Sequence, residues 1–147
     1  MIEIIPNRFQ IFEFLNLLRD EDKAEISALG DIDFKSDLIE LFENNNKYSY
    51  FLLSDSKPLA IGGAKTTNNP KTAIVWMLCT NELNKNKVKF YKYVKNKIKF
   101  FKNEFDILYN FIYKSNFSSL KWLKKCGFIE YELKNKDYKL FYQNIKL

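Results

Sequence analysis

The hydrophobic positions of the chain change period along its length, and each change marks an element. The opening IEII is short and β-leaning and stops at Pro6, which predicts a first strand. From there Phe9, Phe12, Leu15 and Leu18 recur at helical spacing. The acidic stretch RDEDKAEISALG restarts a helix that ends at Gly30, and DFKSDLIELFENNN places Phe34, Leu38, Leu41 and Phe42 on one face before running into three asparagines. One strand and two or three helices are therefore expected in the first third.

The period then shortens. YSYFLLSDSKPLAIGGAK is an apolar run, a polar turn with Asp55 and Pro58, and a second apolar run, which predicts a β-hairpin. Gly62 and Gly63 inside the second strand weaken it unless the backbone bulges there or another segment approaches closely. AIVWMLCT alternates too weakly to assign an exposed face and reads as a central strand buried on both sides. Residues 85–102 set Phe90, Tyr91, Val94, Ile98 and Phe101 in one arc against Lys89, Lys92, Lys95, Lys99 and Lys102, the signature of one packed helix. FDILYNFIY reads as another strand, NFSSLKWLKKCGF as a short helix, and FIEYEL with YKLFYQNI, joined by KNKD, as a terminal hairpin. Mixed strands with helices between the later ones predict an α/β fold with at least one right-handed crossover, residues 72–113 forming its middle unit. Repeats and linkers are absent from the sequence, so one domain spanning 1–147 is expected.

Composition narrows the chemistry. At 46% hydrophobic and 17% aromatic residues the chain is too apolar for disorder, yet no run approaches the roughly 18 residues of a membrane span. The N-terminus lacks the pattern of a secretory signal, and Cys79 and Cys126 form neither a disulfide framework nor a metal-ligand spacing, so a cytoplasmic location is expected. Histidine is absent from the sequence, which excludes Ser-His-Asp, Cys-His and HExxH chemistries and leaves carboxylates, Tyr, Lys, Ser, Cys, water and backbone amides. The net charge of +6 comes from 22 lysines, with Arg8 and Arg19 the two arginines. Arginine is the preferred fork for phosphates and base edges, and the aromatics of 85–102 lie on the core arc instead of among the lysines. Both facts argue against a nucleic-acid surface.

In NFSSLKWLKKCGF, residues 116–128, Ser115 or Asn116 can cap the helix start, Leu120 and Leu123 bury one face, and Gly127 can take a left-handed C-cap followed by Phe128. A capped structural helix explains every residue. In its place in the element order, the stretch also resembles the acyl-CoA site of the GNAT acyltransferase superfamily, with Asn116, Ser119, Trp122, Lys125, Gly127 and Phe128 at matching positions and Leu123 where the family has tyrosine. More narrowly, RDEDKAEISALG, WMLCTNEL and WLKKCGF resemble the GNAT-related phage proteins of the internal virion protein A type. The resemblance implies a GNAT-like fold, a mixed twisted sheet of about six or seven strands flanked by about four helices.

It also implies acetyl-CoA (CoA) as cofactor. Backbone amides at Met77, Leu78, Cys79 and Thr80 would hold pantetheine and polarise the thioester carbonyl. The pyrophosphate would sit at the start of the following helix, at Lys85, Asn86, Lys87 and Val88, where free amides and the helix dipole favour anions. Family glycines are missing there, in NELNKNKVK. Asn116 and Ser119 complete the implied cofactor set. No catalytic residue is assigned: Tyr113, Tyr131, Glu21 and Glu25 are each more simply packing or surface residues, and Cys79 has no histidine to activate it. Two functions follow. One is an acetyl-CoA dependent N-acetyltransferase acting directly on an amine of a small molecule or protein. The other is a non-catalytic GNAT-fold phage protein, a virion component or host-protein binder; a monomer or homodimer suits either.

Overall fold

The computed structural model describes residues 1–28, 33–44 and 47–144. Its elements run β1 (Ile2–Ile4), α1 (Arg8–Asn16), α2 (Asp20–Ala28), α3 (Phe34–Glu43), β2 (Ser49–Ser54), β3 (Lys57–Thr66), β4 (Thr72–Cys79), α4 (Leu83–Glu104), β5 (Ile107–Tyr113), α5 (Phe117–Lys125), β6 (Ile129–Tyr131) and β7 (Tyr138–Asn144). The strands form a seven-stranded mixed sheet in the order β1-β2-β3-β4-β5-β7-β6, and five helices lie among the described residues, in line with the expected six or seven strands and about four helices. The fold is α/β, as its element pattern predicted. The predicted end of the second helix at Gly30 and the last two of the three asparagines, Asn45 and Asn46, lie outside the described residues. Among the described residues no helix is long and apolar enough to cross a membrane.

The residues group into two compact units. The first comprises Met1–Gly63 and Met77–Phe90. Here β1 pairs antiparallel with β2, and β2 with β3. Asn7 caps α1 through a capping box with Gln10, and Asp33 caps α3 by accepting the Ser36 N–H. The apolar faces of α1 and α3 supply Phe14 and Phe42, which meet Phe51 of β2 edge-on at centroid distances of 5.7 and 6.4 Å.

The second unit comprises Ala64–Trp76 and Tyr91–Leu147. Its parallel ladder joins Thr72–Ile74 to Ile107–Tyr109, the two strands being connected through α4. β7 then pairs antiparallel with both β5 and β6. Leu108, Ile112 and Phe141 are buried on one face, while Tyr109, Phe111 and Tyr113 stand opposite Tyr142, Leu140 and Tyr138 on the other. The strand expected to be central and buried on both sides lies between β3 and β5 with no exposed residue, yet it alternates at its start: Ala73 and Val75 are buried and Ile74 and Trp76 half-buried, whereas Leu78 and Cys79 are both buried. Two large side chains at 74 and 76 hid that alternation in the sequence.

Candidate functional site

The end of β4 is built by three neighbouring segments of the first unit. Between β2 and β3 the register slips, with Leu52 opposite Ala60 but Leu53 opposite Pro58, so Leu59 is an extra, bulged residue. The bulge presents two carbonyls to Thr80: its N–H donates to Leu59 O at 3.0 Å and its Oγ1 to Pro58 O at 2.7 Å. The same hydroxyl accepts the Glu82 N–H at 3.2 Å, fixing the turn into α4.

Successive residues of a strand present their backbone groups to opposite edges, so Cys79 faces away from β3. There it meets the connection between α1 and α2. Leu18 and Thr80 form an isolated antiparallel bridge, and the Arg19 N–H donates to Cys79 O at 3.0 Å. The Cys79 N–H donates to Asp22 Oδ2 at 2.9 Å, and the same oxygen receives Arg19 Nε at 2.8 Å. Asp22 is wholly buried and Arg19 nearly so. Even so, Asp22 Oδ1 and Arg19 Nη2 have no hydrogen-bond partner among the described residues. Burial disfavours the Arg19 charge, but the Asp22 bond and the nearby Asp22 and Glu21 charges outweigh it and hold its pKa above the ordinary value. Burial pushes the Cys79 thiol up to about 12, so it is no thiolate nucleophile at neutral pH.

The start of α4 is equally occupied. The N–H groups of Leu83, Asn84 and Lys85 donate to the carbonyls of Thr80, Asn81 and Glu82, and that of Glu82 to the Thr80 hydroxyl, so the first-turn amides are bonded internally. Lys57 and Lys85 lie 3.7 and 3.8 Å from the Glu82 carboxylate. Asn86 is a tie instead of an open donor: its Nδ2 donates to Glu82 O at 2.9 Å and its Oδ1 accepts the Ser54 hydroxyl at 3.1 Å. Lys87 and Val88 are exposed. Met77 is half-buried and Leu78 buried.

Asn116 and Ser119 belong to the second unit, where they meet each other: Asn116 Oδ1 accepts the Ser119 N–H at 3.3 Å as the N-cap of α5. At the other end Gly127 takes φ +88°, its N–H donates to Lys124 O and that of Phe128 to Leu123 O, closing a Schellman motif over the buried Leu123 and Phe128. The tyrosine expected at 123 is thus replaced by a core residue. Tyr113 stacks edge-on with Tyr138 and Tyr131 is exposed.

Arg19 and Asp22 carried no role in the sequence reading. The available signal was the i, i+3 spacing of one of the two arginines with an aspartate.

At Cys79 and at the start of α4, the groups the resemblance implies for an acyl-CoA are already bonded within the chain. A thioester carbonyl at the Cys79 N–H meets a carboxylate already bonded there, and a pyrophosphate at α4 meets bonded amides and Glu82.

The fold is nevertheless that of the GNAT N-acetyltransferases. The PaiA N-acetyltransferase of Thermoplasma acidophilum, solved in complex with coenzyme A, matches 97% of this chain and 98% of its own with a TM-score of 0.70 at 10% identity. An N-acetyltransferase of Staphylococcus aureus Mu50 matches 99% and 98% with a TM-score of 0.69 at 12% identity. A variant of the spermidine N-acetyltransferase SpeG of Vibrio cholerae matches 99% and 95% with a TM-score of 0.65, also at 12% identity. At such identities the likeness is one of fold. No curated protein matches the sequence. The family described as "Bacteriophage T7, probable scaffold protein Gp13" matches residues 49–132, more than half of the chain, and the chain belongs to that family.

Proposed function

We propose that the chain is a non-catalytic protein of the acyltransferase fold that works by protein contact in phage assembly, as a scaffold or virion component binding virion or host proteins. The observation that carries this reading is the Asp22 carboxylate on the Cys79 N–H. That amide is the donor an acyl carbonyl would need, and here a fixed negative charge already holds it. Three further features support it: the internally bonded amides at the start of α4, the buried Leu123 in place of a proton-donating tyrosine, and the family to which the chain belongs. Exposed Phe111, Ile129 and Tyr131 share one face of β5-β7-β6, a composition suited to protein contact. Within this reading the internal virion protein A type is the narrower assignment, residues 1–147 act as one domain, monomeric or homodimeric, and the setting is the host cytoplasm or the virion.

The second reading is an acetyl-CoA dependent N-acetyltransferase that transfers acetyl directly to an amine. The near full-length likeness to N-acetyltransferases, one of them holding coenzyme A, favours it. It would use Met77–Thr80, Lys85–Val88, Asn116 and Ser119 for the cofactor and require Asp22 to leave the Cys79 N–H. Isothermal titration with acetyl-CoA and CoA separates the two. No heat at millimolar ligand is the expected result. Micromolar binding, weakened by Asn116→Ala and by Lys85→Ala/Lys87→Ala, overturns the first reading in favour of the second.

A further inference from the structure

Helix α2 is held in an unusual way. Its sequence, DEDKAEISA, has no apolar stripe, and of its nine residues Asp22 alone is buried. A short helix that is polar all round does not persist in water on propensity, so its place depends on tertiary bonds. At its N-terminal end they converge on one strand end: the Leu18–Thr80 bridge, Arg19 N–H to Cys79 O, and Asp22 to both the Cys79 N–H and Arg19 Nε. Beside it lies a depression of about 530 Å³, largely open to solvent, lined by Leu15, Leu18, Lys23, Ile26, Phe34 and Lys35 among others. The clasp itself is incompletely bonded, with Asp22 Oδ1 and Arg19 Nη2 buried and without a partner among the described residues. A buried pair with unmet valences contributes little net stability.

We propose that residues 18–28 form a lid, latched to the end of β4 by the Arg19–Asp22 clasp, which opens as a local unit and uncovers the N–H and C=O of Cys79. Opening breaks the α2 bonds to Cys79 and leaves untouched the bonds of Thr80 to the β2–β3 bulge. The inference rests on the reading that this strand edge is closed in the resting chain, and it names the element that closes it.

Native-state amide exchange on the full chain tests it, because adjacent amides report on different elements: that of Cys79 is held by α2 and that of Thr80 by Leu59. Cys79 is expected to show roughly ten-fold less protection than Thr80, with an opening that depends weakly on denaturant. In Asp22→Asn, which keeps the shape but not the charge, Cys79 protection drops further while Thr80 stays within roughly two-fold of the wild type. Equal protection and equal denaturant dependence at the two amides in the wild type overturn the lid, whether or not the variant folds. Failure of the closed-edge reading is a separate result, micromolar acetyl-CoA binding to the wild type, so the two cannot be confused.

Discussion

Thr80 joins three segments through one hydroxyl, donating to Pro58 O and accepting from the Glu82 N–H. Thr80→Val keeps the shape and leaves both backbone groups without that partner, which costs about 1–3 kcal/mol. Urea unfolding will read it as a lower midpoint with unchanged slope. Gly63 has the opposite problem, absence of room: a Cβ there would stand 2.3 Å from Tyr48 O and 2.9 Å from Ser49 Cα, both backbone atoms that cannot swing aside. Gly63→Ala is expected to lose about 2–3 kcal/mol in the same assay. The sequence signalled a bulge or a close backbone approach at Gly62 or Gly63, but not which of the two, nor that the approaching segment would be Tyr48–Ser49. Asp22 gave no such signal. Its partner Cys79 lies 57 positions away, and an acid in the first turn of an acidic helix reads as a solvated group favoured by the helix dipole.

Among the elements, α5 was the most legible, since its limits are set by local chemistry: Asn116 caps one end and Gly127 the other. Gly127→Ala forces a side chain into the left-handed region and should cost about 1–2 kcal/mol. More telling is Leu123→Tyr, which restores the residue the superfamily pattern expects. Leu123 is 1% exposed and closes the Schellman contact with Phe128, so the added ring and hydroxyl overpack the site. Thermal and urea unfolding should show a loss of about 1–3 kcal/mol, and a stable variant would mean that room for a tyrosine survives there. The long helix was foreseen over 85–102 and runs from Leu83 to Glu104, an end fray that periodicity does not resolve. Strand order was less legible. The terminal hairpin was expected, but the insertion of β7 between β5 and β6 is decided by long-range pairing, such as Phe111 with Leu140, for which the sequence holds no local cue.

For the whole molecule, the absence of histidine predicts a stability that is flat from about pH 6 to 8, bounded by two different sets of groups. On the acid side, the pKa values of Asp33, Glu43 and Glu130 are all lowered, by the bonds from Ser36, from Arg8 and from Lys139 and Lys124 respectively. A depressed carboxylate contributes stability above its unfolded pKa and loses it as pH falls through the folded one, so thermal melts should decline below about pH 5. On the alkaline side, burial pushes the thiols from an ordinary 9.0 to about 12 for Cys79 and about 11 for Cys126. A raised folded pKa favours the protonated thiol, so that contribution is complete below pH 9.0 and is lost as pH rises from there. Cys79→Ala/Cys126→Ala should therefore shallow the alkaline limb and leave the acid limb in place. The separation is itself a test of the β4 end. Cys79 sits against the Arg19–Asp22 clasp, whereas Asp33, Glu43 and Glu130 are held by other partners, so an acid limb that also moves would mean that losing the thiols disturbs the clasp as well.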